Sequence, residues 1–264
     1  MPNVGGPAQC KRSLLMSVVH SRLLYGAAVW ADEVQKVAKY QNIMLQSQRC
    51  AAVRVARCYR LVSDMAALVL ARMPPVTVQA AVLKRAAALK NEGVILSAKL
   101  KEDDTLSRWQ AMWDASKKAE WTKFLIPNLR RWWTHGSRQV SYHMAQALTG
   151  HGCFQAYLWR KNRATNPGCV HCPNVFDDAE HTLFNCPFWD AARADVAAAI
   201  RKSVGPEDVQ YLLCGPVLQE LPEEPSTRRM VMAASVRHKE LFMRMVETIF
   251  ARKEELVRQR QRQL

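Results

Sequence analysis

Apolar residues recur at helical spacing along almost the whole chain, which predicts a mostly α fold. Between residues 8 and 30, Leu14, Leu15, Val18, Val19, Leu23, Leu24, Ala27 and Trp30 keep that period, so a buried helix is expected, kinked or ended near Gly26. A second pattern runs from 33 to 60. Its stripe is Val37, Tyr40, Met44, Ala51, Val55 and Cys58, and at about 100° per residue Lys39, Arg49, Arg57 and Arg60 fall on the other side. Ser63 reads as the cap of a short helix that ends before Pro74 and Pro75, and a helix at 77–91 follows. Gly93 and the mixed-charge run Lys-Leu-Lys-Glu-Asp-Asp break the pattern, so 96–106 is expected to link a helical domain at 1–95 to a Trp-rich region at 107–204. Helices are expected at 187–202 and 207–213. Within a helical extension at 205–264, Ser226 is expected to cap a long final helix with a basic end. That helix carries Val231, Ala234, Leu241, Phe242, Met245, Ile249 and Leu256.

One short segment departs from this helical text. Cys169, Cys172, His181 and Cys186 form a C-x2-C-x8-H-x4-C string in turn-rich chain, with Pro167 and Gly168 before it, Pro173 and Asn174 inside it and Pro187 straight after. Thiolate and imidazole are the ligands zinc prefers, and a C-x2-C pair lets two sulfurs grip the ion from one turn. One structural zinc is therefore expected in a small α-rich domain. Buried thiols beside a stray imidazole are the plainer alternative, and His171 and Cys153 are the substitutes should one ligand be misassigned. The remaining cysteines, 10, 50, 58, 153 and 214, read as core thiols.

Charge narrows the choice of partner. Thirty-eight Lys and Arg against 23 Asp and Glu leave +15, which favours a polyanion, nucleic acid before an anionic membrane surface. No acid occurs between Glu33 and Asp64, so the basic side of the second helix is either a solvated face or a surface that tracks phosphates. Trp132 and Trp133 lie among Arg130, Arg131, Arg160, Lys161 and Arg163 in the Trp-rich region, where indoles either fill a core or stack bases beside cations. No apolar run of about 18 residues occurs that could span a bilayer, and the N-terminus does not read as a signal peptide. An intracellular, reducing setting is expected, in which clustered cysteines hold metal.

Two strings carry a resemblance. Leu148-Thr149-Gly150-His151-Gly152-Cys153-Phe154 with Tyr157-Leu158, and the Cys/His string ending Cys-Pro-Phe-Trp, resemble the C-terminal region of non-LTR, LINE-like retrotransposon reverse transcriptases, in particular the insect elements that insert into ribosomal RNA genes. Asn3-Val4-Gly5-Gly6-Pro7, Leu23-Leu24-Tyr25-Gly26 with Trp30, Ser63 and the Pro74-Pro75 pair are similar to the segment downstream of the polymerase palm. The resemblance implies a helical thumb-like domain followed by a zinc domain, with Cys169, Cys172, His181 and Cys186 as ligands. RNA or DNA and the polymerase and endonuclease parts of the same element are the implied partners, and nucleus and cytoplasm the implied location.

Polymerase chemistry needs metal-binding carboxylates, which this family carries on a Tyr/Phe-x-Asp-Asp turn. Phe176-Asp177-Asp178 lacks the intervening residue, and Asp103-Asp104 has no strand signal around it. The expectation is a non-catalytic C-terminal part that binds template RNA or target DNA. The alternatives are a portion active only with a palm supplied separately, and a zinc-stabilised protein-interaction module.

Overall fold

A helix that is apolar all round must be buried on every side. α4 (Asp64–Ala71) is such a helix, with every residue from Met65 to Ala71 buried. Ser63 caps it as expected, its hydroxyl accepting from the Ala66 amide at 3.3 Å. The computed structural model describes residues 6–262; Asn3-Val4-Gly5 lie outside the described residues. Among the described residues the chain is helical and contains no strand, only an isolated bridge between Gly168 and Phe176.

The chain divides into two compact units. The first comprises residues 1–123, 128–133 and 138–140. It holds α1 (Gln9–Leu23), α2 (Ala27–Lys36), α3 (Ala38–Val55), α4, α5 (Val76–Asn91) and α6 (Ala98–Ala115). Ala27 and Ala31 of α2 meet Ala80 of α5, small residues that let two helices approach closely. Gln48 of α3 is the polar centre of this unit. Fully buried, it donates to the Pro74 carbonyl at 2.8 Å and accepts from the Val76 amide at 2.9 Å, so it satisfies the Pro74-Pro75 turn, where no helical partner exists.

Several expectations need correction here. The break expected near Gly26 is present, α1 and α2 meeting there at 82° about a residue whose φ of +63° suits glycine, but the burial expected for this stretch is not. α1 is not buried, because it packs on α3 by another side and leaves Leu14, Leu15 and Val18 exposed. α3 ends at Val55, and its buried side is Leu45, Gln48, Ala51, Ala52 and Val55, whereas Val37 and Tyr40 are exposed. Within the segment expected to link, 96–106, residues from Ala98 onward form the first turns of α6, capped by Ser97. Its acids are paired: Asp104 holds Arg85 at 2.9 Å and Arg108 at 2.7 Å, and Asp103 holds Arg130. Trp109 and Trp113 then belong to the core of the first unit, not to a domain shared with the Cys/His string.

The second unit comprises residues 124–127, 134–137 and 141–264. It includes α9 (Tyr142–Thr149), α10 (Gln155–Arg160), α11 (Asp190–Ile200), α12 (Val209–Cys214) and α13 (Pro225–Gln261); α7 (Glu120–Leu125) and α8 (Leu129–His135) cross between the two sets of residues. α13 begins one residue before Ser226, and Glu224 is the cap, its carboxylate accepting from the Thr227 amide at 3.3 Å. Phe242, Met245, Val246, Ile249 and Phe250 form its buried stripe, to which α9, α11 and α12 pack. The string Leu148 to Phe154 makes the seat for this helix. Gly150 ends α9 at φ +67°, the Gln146 side chain leaves no room for a Cβ at Gly152, and Phe154 stands edge-on to Phe250 at 5.4 Å. No single helix among the described residues is long and apolar enough to cross a membrane.

Candidate metal centre

The Cys169 amide donates to the Val175 carbonyl at 2.7 Å and the Asp177 amide to the Pro167 carbonyl at 3.0 Å, closing a tight hairpin that Asn174 turns at φ +58°. This hairpin presents Cys169 and Cys172. The other two ligands come from a single π-helical turn, His181–Asn185, in which the Cys186 amide reaches back to the His181 carbonyl at 2.7 Å. The buried guanidinium of Arg193 pins the end of the turn, donating to the carbonyls of Leu183 at 3.3 Å and Cys186 at 2.5 Å.

Four ligand atoms, from Cys169, Cys172, His181 and Cys186, lie within 4.8 Å of one another. The Cys186 sulfur stands 3.9 Å from that of Cys169 and 3.7 Å from that of Cys172. These are not disulfide distances. They match the roughly 3.8 Å edge of a tetrahedron with metal–sulfur bonds of about 2.3 Å. His181 is buried and its Nε2 has no hydrogen-bond partner, a costly state unless a ligand fills it. Burial, reinforced by the neighbouring sulfurs, pushes the Cys186 thiol up to about 12, and burial lowers His181 against the pull of Asp177 and Asp178. The donor set fits zinc, with every position supplied by protein. The substitutes are not needed. Cys153 is a buried thiol raised by burial to about 12, and the exposed His171 ring lies flat on Phe188 at 3.5 Å, lowered first by burial and then by Arg260.

Beside the hairpin lies a polar core that the sequence did not reveal. Asp177, between the second and third ligands, is buried and takes the Lys253 ammonium of α13 on both oxygens, at 2.6 and 2.8 Å. It also accepts from the Gln155 amide and the Thr182 hydroxyl, each at 2.8 Å. One turn and more away, His143 holds Glu247 at 2.6 Å and Glu254 at 3.7 Å. Its hydrogen bonds to those carboxylates raise it to about 9, against partial burial. For both glutamates burial alone would raise the pKa, but the hydrogen bonds from His143 and from Ser141 or Gln146 outweigh it.

The residues expected to touch nucleic acid are sorted by the structure into exposed and committed groups. Lys39, Arg60, Arg160, Lys161 and Arg163 are exposed. Arg49 is a correction: its guanidinium is bonded to the Val62 carbonyl at 3.0 and 2.8 Å and to that of Arg60, so it closes the loop before α4. Arg57 is half-buried in a left-handed turn beyond α3. Trp132 is also a correction, being 1% exposed with its indole donating to the Val69 carbonyl at 2.8 Å. Trp133 is half-buried, edge-on to Trp109 and under Arg72. Arg130 pairs with Asp103, and Arg131 sits on the same short helix, half-buried. Of the cysteines read as core, Cys58, Cys153 and Cys214 are buried, but Cys10 and Cys50 are exposed.

Fold and site together define a helical protein whose second unit carries a Cys3His group able to hold a metal ion. The chain is a relative of the Pol polyproteins of insect R1-type non-LTR retrotransposons, and is retrotransposon-derived. It is 26% identical over 203 residues to the 115 kDa protein of the type-1 retrotransposable element R1DM of Drosophila melanogaster, covering 70% of this chain and 20% of that protein. It is similar to two retrovirus-related Pol polyproteins of type-1 elements of Nasonia vitripennis. One, of element R1 4, is 26% identical over 73% of this chain, and the other, of element R1 3, is 23% identical over 77%. The chain spans 52% and 60% of their lengths. No family model and no solved structure matches the chain.

Proposed function

We propose that this chain is a non-catalytic, nucleic-acid-binding portion of an R1-type reverse transcriptase, gripping template RNA or target DNA in the nucleus or cytoplasm through exposed cations and a zinc-ordered domain. The observation that carries this reading is the convergence of three sulfurs and an unpartnered, buried imidazole nitrogen beside the exposed Arg160, Lys161 and Arg163. Zinc held there would supply local folding free energy, since no position is left for a reacting water. The carboxylate pairs support a role outside the chemical step: Asp103 and Asp104 are bound to arginines on a helix, and Asp177 is spent on Lys253. The test is fluorescence anisotropy with RNA and DNA across salt. Counterion release makes log K fall linearly with log salt, by about 0.7 to 0.9 per phosphate contact. Affinity independent of salt contradicts the reading, as does primer extension by the chain alone.

A second reading, protein docking, is favoured by one observation. Leu14, Leu15, Val18 and Val29 are 71%, 62%, 62% and 86% exposed, a set of large apolar side chains on α1 and α2. The polymerase portion of such an element is the partner this reading names. Leu14→Glu would then abolish association with a separately expressed polymerase portion and spare RNA binding.

A further inference from the structure

Beside the hairpin, within the second unit, an open cleft of about 640 Å³ is lined by α10, the chain after it and the basic end of α13. Its volume lies within the roughly 300–1,000 Å³ typical of ligand sites. Two chemistries meet there. Leu158, Val170 and Val257 give it apolar wall, and Arg163 and Arg260 bring guanidinium groups that make no ion pair among the described residues. No Asp or Glu lines it, whereas the other cations of α13 nearby are neutralised, Lys253 by Asp177 and Arg258 by Glu254. Arg260 also borders the small adjoining cavity lined by His171 and Trp189. His171 of that lining stacks on the exposed Phe188 ring, 3.5 Å apart and 3° from parallel.

A planar apolar face with an anion attached satisfies both halves of this lining, and a nucleotide has that composition. In a duplex the base faces are covered by their neighbours. Only an unstacked residue of a single strand can offer one to a cleft wall. We propose that the cleft takes one unstacked nucleotide of a single-stranded nucleic acid, with its phosphate on Arg163 and Arg260 and its base against Leu158, Val170 and Val257. The neighbouring His171–Phe188 pair is a platform for the next base along the strand. This inference rests on the nucleic-acid reading above and sharpens it to a polymer form and a site.

The experiment uses the full zinc-loaded chain and compares binding of an oligouridylate and of duplex DNA of equal phosphate number by fluorescence anisotropy. The variants are Arg163→Ala with Arg260→Ala, and separately Val170→Asp. Zinc content and circular dichroism verify that each variant is folded. The expected result is tighter wild-type binding to the single strand, weakened about tenfold or more by either variant, with duplex affinity changed by no more than about twofold. Wild-type binding of both polymers with the single-strand affinity untouched by both variants overturns the cleft and leaves the broader reading standing. Equal losses on both polymers also overturn it, because they mean general charge attraction. If the wild-type chain binds neither polymer, both the broader reading and the cleft fall.

Discussion

The two units solve the burial problem with opposite materials. The first is held by apolar side chains, α4 buried on all sides and the indoles of Trp109, Trp113 and Trp132, with Gln48 the polar group at its centre. The second joins its apolar stripe on α13 to a Cys3His group, the Asp177–Lys253 pair and the His143–Glu247–Glu254 cluster. A core of the first kind tolerates truncation in proportion to the volume lost. One of the second kind depends on completeness, because each charge or ligand left alone is buried at a cost of several kcal/mol. The second unit is therefore the one in which a single atom's loss should undo a whole segment, and the segment concerned borders the proposed binding surface.

The largest separation of the two units should come from Cys172→Ser. It is expected to abolish zinc binding and unfold the 165–190 segment, while α3 to α5 keep their amide protection in hydrogen exchange; equal loss of protection in both units would contradict the contrast. Next in size is Lys253→Met, which strands the Asp177 carboxylate and should destabilise the second unit by about 3–5 kcal/mol in urea unfolding. Adding Asp177→Asn should recover part of that loss, since the stranded charge and not the missing contact sets it. In the first unit Gln48→Met leaves the buried Val76 amide unpaired and removes one of the two donors to the Pro74 carbonyl, for about 1–3 kcal/mol, with zinc content unchanged.

The smallest expected effect is on pH dependence. Folded His143 titrates at about 9 against 6.5 in the unfolded chain, so its contribution is whole below about 6.5 and is lost as pH rises through 9. With the ring only partly exposed to solvent screening, the effect should be a drop of the second unit's thermal midpoint over that window, absent in His143→Gln. A midpoint that rises with pH would reverse the assigned sign.

Features that depend on neighbouring residues were readable before any coordinates. The Cys/His string, the Ser63 cap, α5 and the long final helix each follow from spacing within a few turns. The Lys-Leu-Lys-Glu-Asp-Asp run misled because a solvated linker and a helix whose charges are paired look alike in composition; the bases that distinguish them, Arg85 and Arg130, are distant in sequence. Trp132 and Trp133 among cations read equally as core or as base-stacking rings, and only distant neighbours separate the two: Trp132 is fully buried and Trp133 closes over Trp109 as its rim. Asp177 was visible as a failed polymerase motif, and its true partner Lys253 is 76 residues on, beyond any local pattern. Arg193 offered only an i,i+3 pairing with Asp190, with nothing to point to the carbonyls it clamps.

The most direct test of a zinc-ordered binding domain is the zinc content of the purified chain, measured by elemental mass spectrometry beside the Cys172→Ser variant. One zinc per wild-type chain and none in the variant is the predicted result. A wild-type chain without zinc, or a variant that keeps it, would contradict the ligand set and with it the account of how the second unit is held together.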